Sequence, residues 1–137
     1  EEPGENTPVA IEWDMEDIDN RPVHLIAGRG TTFIVNRTGA LFSYGHNKFG
    51  VLGHRHCEHV YHPTRVKALF RERIASVSVG GAHAMALTED GVLYSWGKND
   101  KGQCGRGIEG IQDLTPGEVT FPSIGIAKYS VIDIRAG

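Results

Sequence analysis

Cysteine is scarce: the 137-residue chain holds only Cys57 and Cys104, too few for the disulfide framework that replaces a core in small secreted domains. Long apolar runs are missing too. None approaches the roughly 18 residues of a membrane-crossing helix, and no basic start with an apolar middle marks a secretory leader. An intracellular setting, cytoplasmic or nuclear and without a membrane, is expected. The glycines of Gly50–Gly53 and Gly102–Gly107 lack the following lysine and hydroxyl of a phosphate-cradling loop, which excludes a nucleotide site of that kind. No nucleophile, base and carboxylate stand at a recognisable spacing, so bond-making catalysis has no candidate residue. No cofactor is expected.

Positive charge is absent from the first twenty residues. They hold Glu1, Glu2, Glu5, Glu12, Asp14, Glu16, Asp17 and Asp19, whereas residues 21–137 hold nine acids against fourteen bases, within an overall charge of −3. Trp13, Met15 and Ile18 interleave with the acids. The plain reading is a solvated lead-in to the strand at Val23; the sharper one is an acidic partner-binding segment anchored by Trp13.

Glycine, in contrast, is plentiful at 18 residues, and it recurs in register. An offset of 52 pairs Gly28 with Gly80, Gly39 with Gly91, Gly45 with Gly97, Gly50 with Gly102 and Gly53 with Gly105. It also pairs Leu41 with Leu93, Ser43 with Ser95, Tyr44 with Trp96 and Asn47 with Asn99. Repeated glycines mean that the chain makes the same sharp backbone bends twice. The period near two in Thr32–Val35, Ala40–Tyr44, Ala84–Leu87 and Val92–Trp96 predicts strands. Asn36-Arg37-Thr38-Gly39 and Thr88-Glu89-Asp90-Gly91 join them as hairpin turns. The glycines and asparagines that follow the aromatic are explained by turn geometry before any ligand is invoked.

A partial third copy stands in front. Thr7-Pro8-Val9 is similar to Thr115-Pro116 with Val119, and to His62-Pro63-Thr64-Arg65-Val66. An apolar strand ending in glycine follows each: Val23–Gly28, Ile74–Gly80 and Val131–Gly137. The chain then divides into residues 1–27, an acidic lead-in with the closing strand of a preceding unit, and two full units at 28–79 and 80–137.

The order glycine, short hairpin, small-aromatic-Gly-x-Asn-x-x-Gly-x-x-Gly, then Pro-x-x-Val and a closing strand resembles the regulator-of-chromosome-condensation repeat. Gly91-Val92-Leu93-Tyr94-Ser95-Trp96-Gly97-Lys98-Asn99-Asp100-Lys101-Gly102-Gln103-Cys104-Gly105 matches closely, with Cys104 in the place of a usual leucine. The first copy departs further: Arg29-Gly30-Thr31 replaces the pattern of Gly81-Ala82-His83, and Val51 stands where glutamine is usual. The WD-repeat propeller would need a Trp-Asp pair that is absent, and the kelch repeat a Gly-Gly doublet that only Gly80-Gly81 supplies. The resemblance implies an all-β fold of β-propeller blades, normally closed into a seven-bladed ring. Two blades alone would leave about four large side chains facing water, forfeiting roughly 6–12 kcal/mol, comparable with a whole domain's stability of about 5–15 kcal/mol. The chain is therefore expected to be an excerpt of a longer protein or to complete a ring with associated copies. The missing initiating Met and the end at Gly137 point to the excerpt.

Within this frame Gly45, Asn47, Gly50, Gly53, Gly97, Asn99, Gly102 and Gly105 are structural repeat residues. The resemblance gives His83 the role of bonding neighbouring backbone inside its blade. His54, His56, Cys57, His59 and His62, with His46 near, are the candidate zinc ligands. The second copy offers no His or Cys at the matching place, Arg106–Thr115, so an exposed, pH-sensitive loop is favoured over a metal. Arg55, Arg65, Lys67, Arg71 and Arg73, and after the aromatic strand Lys98, Lys101 and Arg106, form basic groups without aromatic interleaving. A solvated face, or contact with a protein partner, is favoured there over DNA or chromatin. Ala68-Leu69-Phe70 can also be a short helical turn packed beneath the blade. Asn36-Arg37-Thr38 is a glycosylation triplet placed in a hairpin turn. The expected function is a protein–protein interaction module, a regulatory scaffold presenting loops 54–62, 65–73 and 106–118. The alternative, implied by the resemblance, is nucleotide exchange on a Ran-like GTPase with chromatin association.

Overall fold

Alternation of apolar and small side chains produces strands in both copies. The computed structural model, which describes residues 13–14, 16–99 and 112–119, contains β1 (Pro22–Ala27), β2 (Thr31–Asn36), β3 (Leu41–Gly45), β4 (Val60–Arg65), β5 (Ile74–Val79), β6 (His83–Thr88), β7 (Leu93–Lys98) and β8 (Gln112–Glu118). Short 3-10 turns lie at Ile18–Asn20, Lys48–Gly50 and Lys67–Leu69. The strands form two four-stranded antiparallel sheets, ordered β1-β2-β3-β4 and β5-β6-β7-β8. The Lys67–Leu69 turn buries Leu69, so the helical-turn reading of that segment holds.

One expectation is corrected. The strand at Val23–Gly28 does not close a preceding blade: Leu25 pairs with Ile34 and Ala27 with Thr32, which makes β1 the first strand of its own sheet. The strand at Ile74–Gly80 likewise opens the second sheet by pairing with β6 instead of ending the first. The sheets are thus out of phase with units cut at 28 and 80. Antiparallel neighbours joined by a short link pair more readily than strands separated by a long loop, and only three residues lie between Ala27 and Thr31. Thr7–Val9, Gly102, Gly105 and Val131–Gly137 lie outside the described residues.

The hairpins superpose in register. Thr32 pairs with Tyr44 and Ile34 with Phe42; 52 residues on, Ala84 pairs with Trp96 and Ala86 with Tyr94. Gly39 donates its N–H to Asn36 and Gly91 to Thr88, both at 3.0 Å. The Asn36 side chain is consumed in its turn: Oδ1 accepts from the backbones of Thr38 (3.0 Å) and Ala40 (2.9 Å), and Nδ2 donates to Asn20. The amide of the glycosylation triplet is therefore buried and engaged.

The main core lies between the sheets. Phe33, Val35 and Leu41 come from one face of the first, and Ala84, Ala86 and Trp96 from the facing side of the second. Two alanines opposite Phe33 leave room for the Trp96 ring, whose centroid lies 6.0 Å from that of Phe33. Val51 and Leu52, in the loop after β3, and Val66 and Leu69, after β4, fill the space between the sheets. The far face of the second sheet carries Met85, Leu87 and Leu93, the positions equivalent to Phe33, Val35 and Leu41. Each sheet therefore repeats the same two apolar faces.

Candidate functional site

The loop from His46 to His59 is organised by one amide. Asn47 is 0% exposed. Its Nδ2 donates to the carbonyls of His56 (2.7 Å) and Glu58 (2.9 Å), and its Oδ1 accepts from the N–H of Leu52 (3.0 Å). A carboxamide suits this place because it supplies donors and an acceptor from one buried group. Gly45, Gly50 and Gly53 take left-handed backbone around it, at φ of 111°, 71° and 81°. A Cβ on Gly45 would collide with the Gly30 carbonyl oxygen. The loop is then pinned to the second sheet by Trp96, whose Nε1–H donates to the Val51 carbonyl at 2.6 Å.

The histidines do not converge. His46 and His59 meet edge to face at 4.7 Å, and His54 and His56 stack at 6.1 Å. His59 Nδ1 accepts from the N–H of Asn47 and His56 Nδ1 from that of Glu58, so both lone pairs serve the loop backbone. His62 lies exposed on β4 and Cys57 is exposed in the loop. Among the described residues no three of His, Cys, Asp or Glu are arranged to hold a metal ion.

Ser43 and His54 stand as a nucleophile and base would, at 2.8 Å. The hydroxyl proton is spent, however: Ser43 Oγ donates to the Leu52 carbonyl at 2.7 Å, so His54 donates from Nε2 to Ser43. Ser43 is also fully buried. The pair therefore locks the loop to β3. Burial lowers the pKa of His54 from its ordinary 6.5, the Ser43 carbonyl opposes that fall, and His56 and Lys67 add to it. His83 is half-buried with its pKa lowered by burial. The backbone bond implied for its imidazole is not seen among the described residues; the His83 carbonyl accepts from Gly80.

Basic side chains gather beside β4. A cleft of about 600 Å³ is lined by His54, Arg55, His56, Arg65 and Lys67 together with small and apolar groups. Arg65 is held there: its Nη2 donates to the Phe70 carbonyl at 3.1 Å, and its guanidinium lies 4.9 Å from the Phe70 ring and 5.9 Å from that of Phe42. Arg55 adopts left-handed backbone, φ 67°, and donates its N–H to the Leu114 carbonyl. Of the other basic residues, Arg73 pairs with Glu89 at 3.1 Å on the surface, Arg71 is exposed, and Lys98 with Lys48 flanks the Phe49 ring. Lys101 and Arg106 lie outside the described residues. Trp13 sits half-buried, its ring edge to face with Phe42 at 4.8 Å and its Nε1–H donating to Asn20. From the sequence, Phe42, Phe70 and Ser43 are assigned to strand, turn and repeat and given no place in a site. Phe42 and Arg65 are cross-strand partners, a relation no spacing reveals; Ser43 carried a signal in its match with Ser95 at the repeat offset.

Two sheets of one pattern, the second receiving the Val51–Leu52 loop from the first, define a β-propeller built of repeats. The chain belongs to the Regulator of chromosome condensation (RCC1) repeat family, which it matches over residues 38–87 and 90–137. It is 43% identical over 106 residues to the ultraviolet-B receptor UVR8 of Arabidopsis thaliana, an alignment covering 77% of this chain and 23% of that protein. The human WBSCR16 structure superposes with a TM-score of 0.78 at 23% identity, over 90% of this chain and 30% of that one. Prp20p of Saccharomyces cerevisiae, a structure described with its binding to Gsp1p and histones, gives 0.65 at 22% identity, over 73% of this chain and 26% of that one. These two structures speak for the fold. The chain spans under a third of the length of each of these proteins.

Proposed function

We propose that this chain is part of a protein-recognition module, an intracellular regulatory scaffold whose propeller repeats hold variable loops rigidly at the rim. The observation that carries this reading is the loop at His46–His59. Its backbone is fixed from within by Asn47, while Arg55 and Glu58 on it are exposed. A loop ordered before binding costs less entropy on association. The Ser43–His54 pair is consumed structurally, so recognition accounts for the surface better than chemistry does. The remaining blades come from the rest of the same polypeptide or from associated copies. Affinity purification of the full-length protein should retain a protein partner that is lost when Arg55 and Lys67 are reversed in charge. Release of labelled GDP from a Ran-like GTPase should be unchanged by its presence.

Exchange on a small GTPase is the second reading, favoured by the fold shared with Prp20p and its stated binding to Gsp1p. Accelerated GDP release across a panel of GTPases would support it and displace the scaffold reading. Chromatin contact is the weaker companion to it. The basic residues beside β4 are few, and a nucleosome complex relying on them should weaken steeply with salt.

A further inference from the structure

We propose that the cleft beside β4 binds a phosphoryl group borne on a side chain of a protein partner, with Arg55, Arg65 and Lys67 supplying the positive charge. This rests on the protein-recognition reading and adds the chemistry of the partner. Five cationic or protonatable side chains line the recess, and among the described residues no carboxylate lines it. Arg55 and Lys67 form no ion pair with any described residue, whereas Arg73 outside the cleft is paired with Glu89 and nearby Glu72 accepts from the Tyr94 hydroxyl at 3.0 Å. Glu58, the acid nearest to Arg55 in sequence, is exposed and is not among the described residues that line the recess.

Charge and shape select the ligand. A phosphomonoester carries about −1.5 to −2 at neutral pH. Three cations match that better than they match the single charge of a carboxylate. The planar fork of Arg65, held between Phe42 and Phe70, is preorganised for an oxyanion. His56 accepts at Nδ1 from Glu58, which leaves Nε2–H as the donor of its neutral ring. A recess of about 600 Å³ lies within the range of small-ligand pockets and has room for a phosphorylated side chain with adjoining backbone. Nucleic acid fits less well. It needs cations spread along a backbone, whereas these converge on one recess, and the segment before β1 exposes Asp14, Glu16, Asp17 and Asp19.

Amide resonances of the full-length protein, followed by NMR, provide the test with inorganic phosphate, O-phosphoserine and serine as probes. Phosphate and O-phosphoserine should shift Gly53–His56 and Thr64–Ala68, and serine should not. The double variant R55E/K67E changes two exposed side chains and should weaken phosphoserine binding about tenfold or more with an unchanged thermal midpoint; R65K, which keeps the charge and loses the fork, should also weaken it. Absence of shifts at these amides, or shifts indifferent to R55E/K67E, overturns the proposal. So does tighter binding of a DNA duplex that the same variant abolishes. If the probes leave the cleft untouched while a protein partner still co-purifies, the phosphoryl site is wrong and the recognition reading survives. Phosphoserine binding with no retained partner would have the opposite meaning.

Discussion

Asn47 shows what one buried side chain does in this fold. Removing its amide in Asn47→Ala leaves the Leu52 N–H and the His56 and Glu58 carbonyls without their partner. Each unsatisfied buried group costs about 1–3 kcal/mol. With partial rescue by water, a loss of about 3 kcal/mol in denaturant unfolding is expected, with faster hydrogen exchange at Leu52; an unchanged midpoint would refute the role given to Asn47. His54 gives a pH signature. Burial lowers its pKa below 6.5 in the folded state, so the unfolded chain takes up a proton that the folded chain resists. Stability is full above about pH 6.5 and falls as pH drops through that value toward the lowered one. His83, shifted in the same direction, adds to the slope. Comparing unfolding midpoints from pH 8 to pH 5, His54→Gln should flatten part of this dependence; an identical slope would remove His54 as a source.

At the scale of the strand and turn, two glycines at similar φ are expected to respond differently to the same change. Gly97 has φ 105°, and a Cβ there would lie 2.6 Å from the Ala82 carbonyl oxygen; Gly91 has φ 85° with nothing within 4 Å. Gly97→Ala should therefore add a backbone clash to the conformational strain and cost about 3 kcal/mol or more, against about 1 kcal/mol for Gly91→Ala. Equal thermal shifts in the two variants would contradict this. The strands and their turns were legible because period two and the paired glycines are local signals. The phase of the sheets was not. A 52-residue offset is the same wherever the units are cut, and nothing in Val23–Gly28 or Ile74–Gly80 says whether the strand pairs backward or forward. The histidine run was misleading for a related reason. Neighbours in sequence turn to different partners once Asn47 folds the loop, so His54 meets Ser43 while His59 meets His46. Arg65 entered the site through Phe42, across a strand pair that only tertiary structure creates.

For the whole molecule, the decisive feature is that both sheets carry the same two apolar faces. Leu25, 68% exposed, pairs with Ile34 on the side of the first sheet that corresponds to the Trp96 face of the second. In a closed ring that side is a packed interface. Leu25→Asp in the full-length protein is then expected to cost about 2 kcal/mol, as a core substitution does, despite its exposed position here. A change within about 0.5 kcal/mol, the usual value for a surface site, would mean that no blade covers it. The hydrogen bond from Trp96 to Val51 carries a further consequence. Because the second sheet is completed by a stretch of chain delivered from the first, the two units overlap like roof tiles and have no clean seam between them. A cut at the exposed tip between Arg37 and Thr38, which keeps Val51 and Trp96 in one piece, should then be tolerated better than a cut at the residue-80 border of the written repeat, which separates them and strips the second sheet of the cover the first lends.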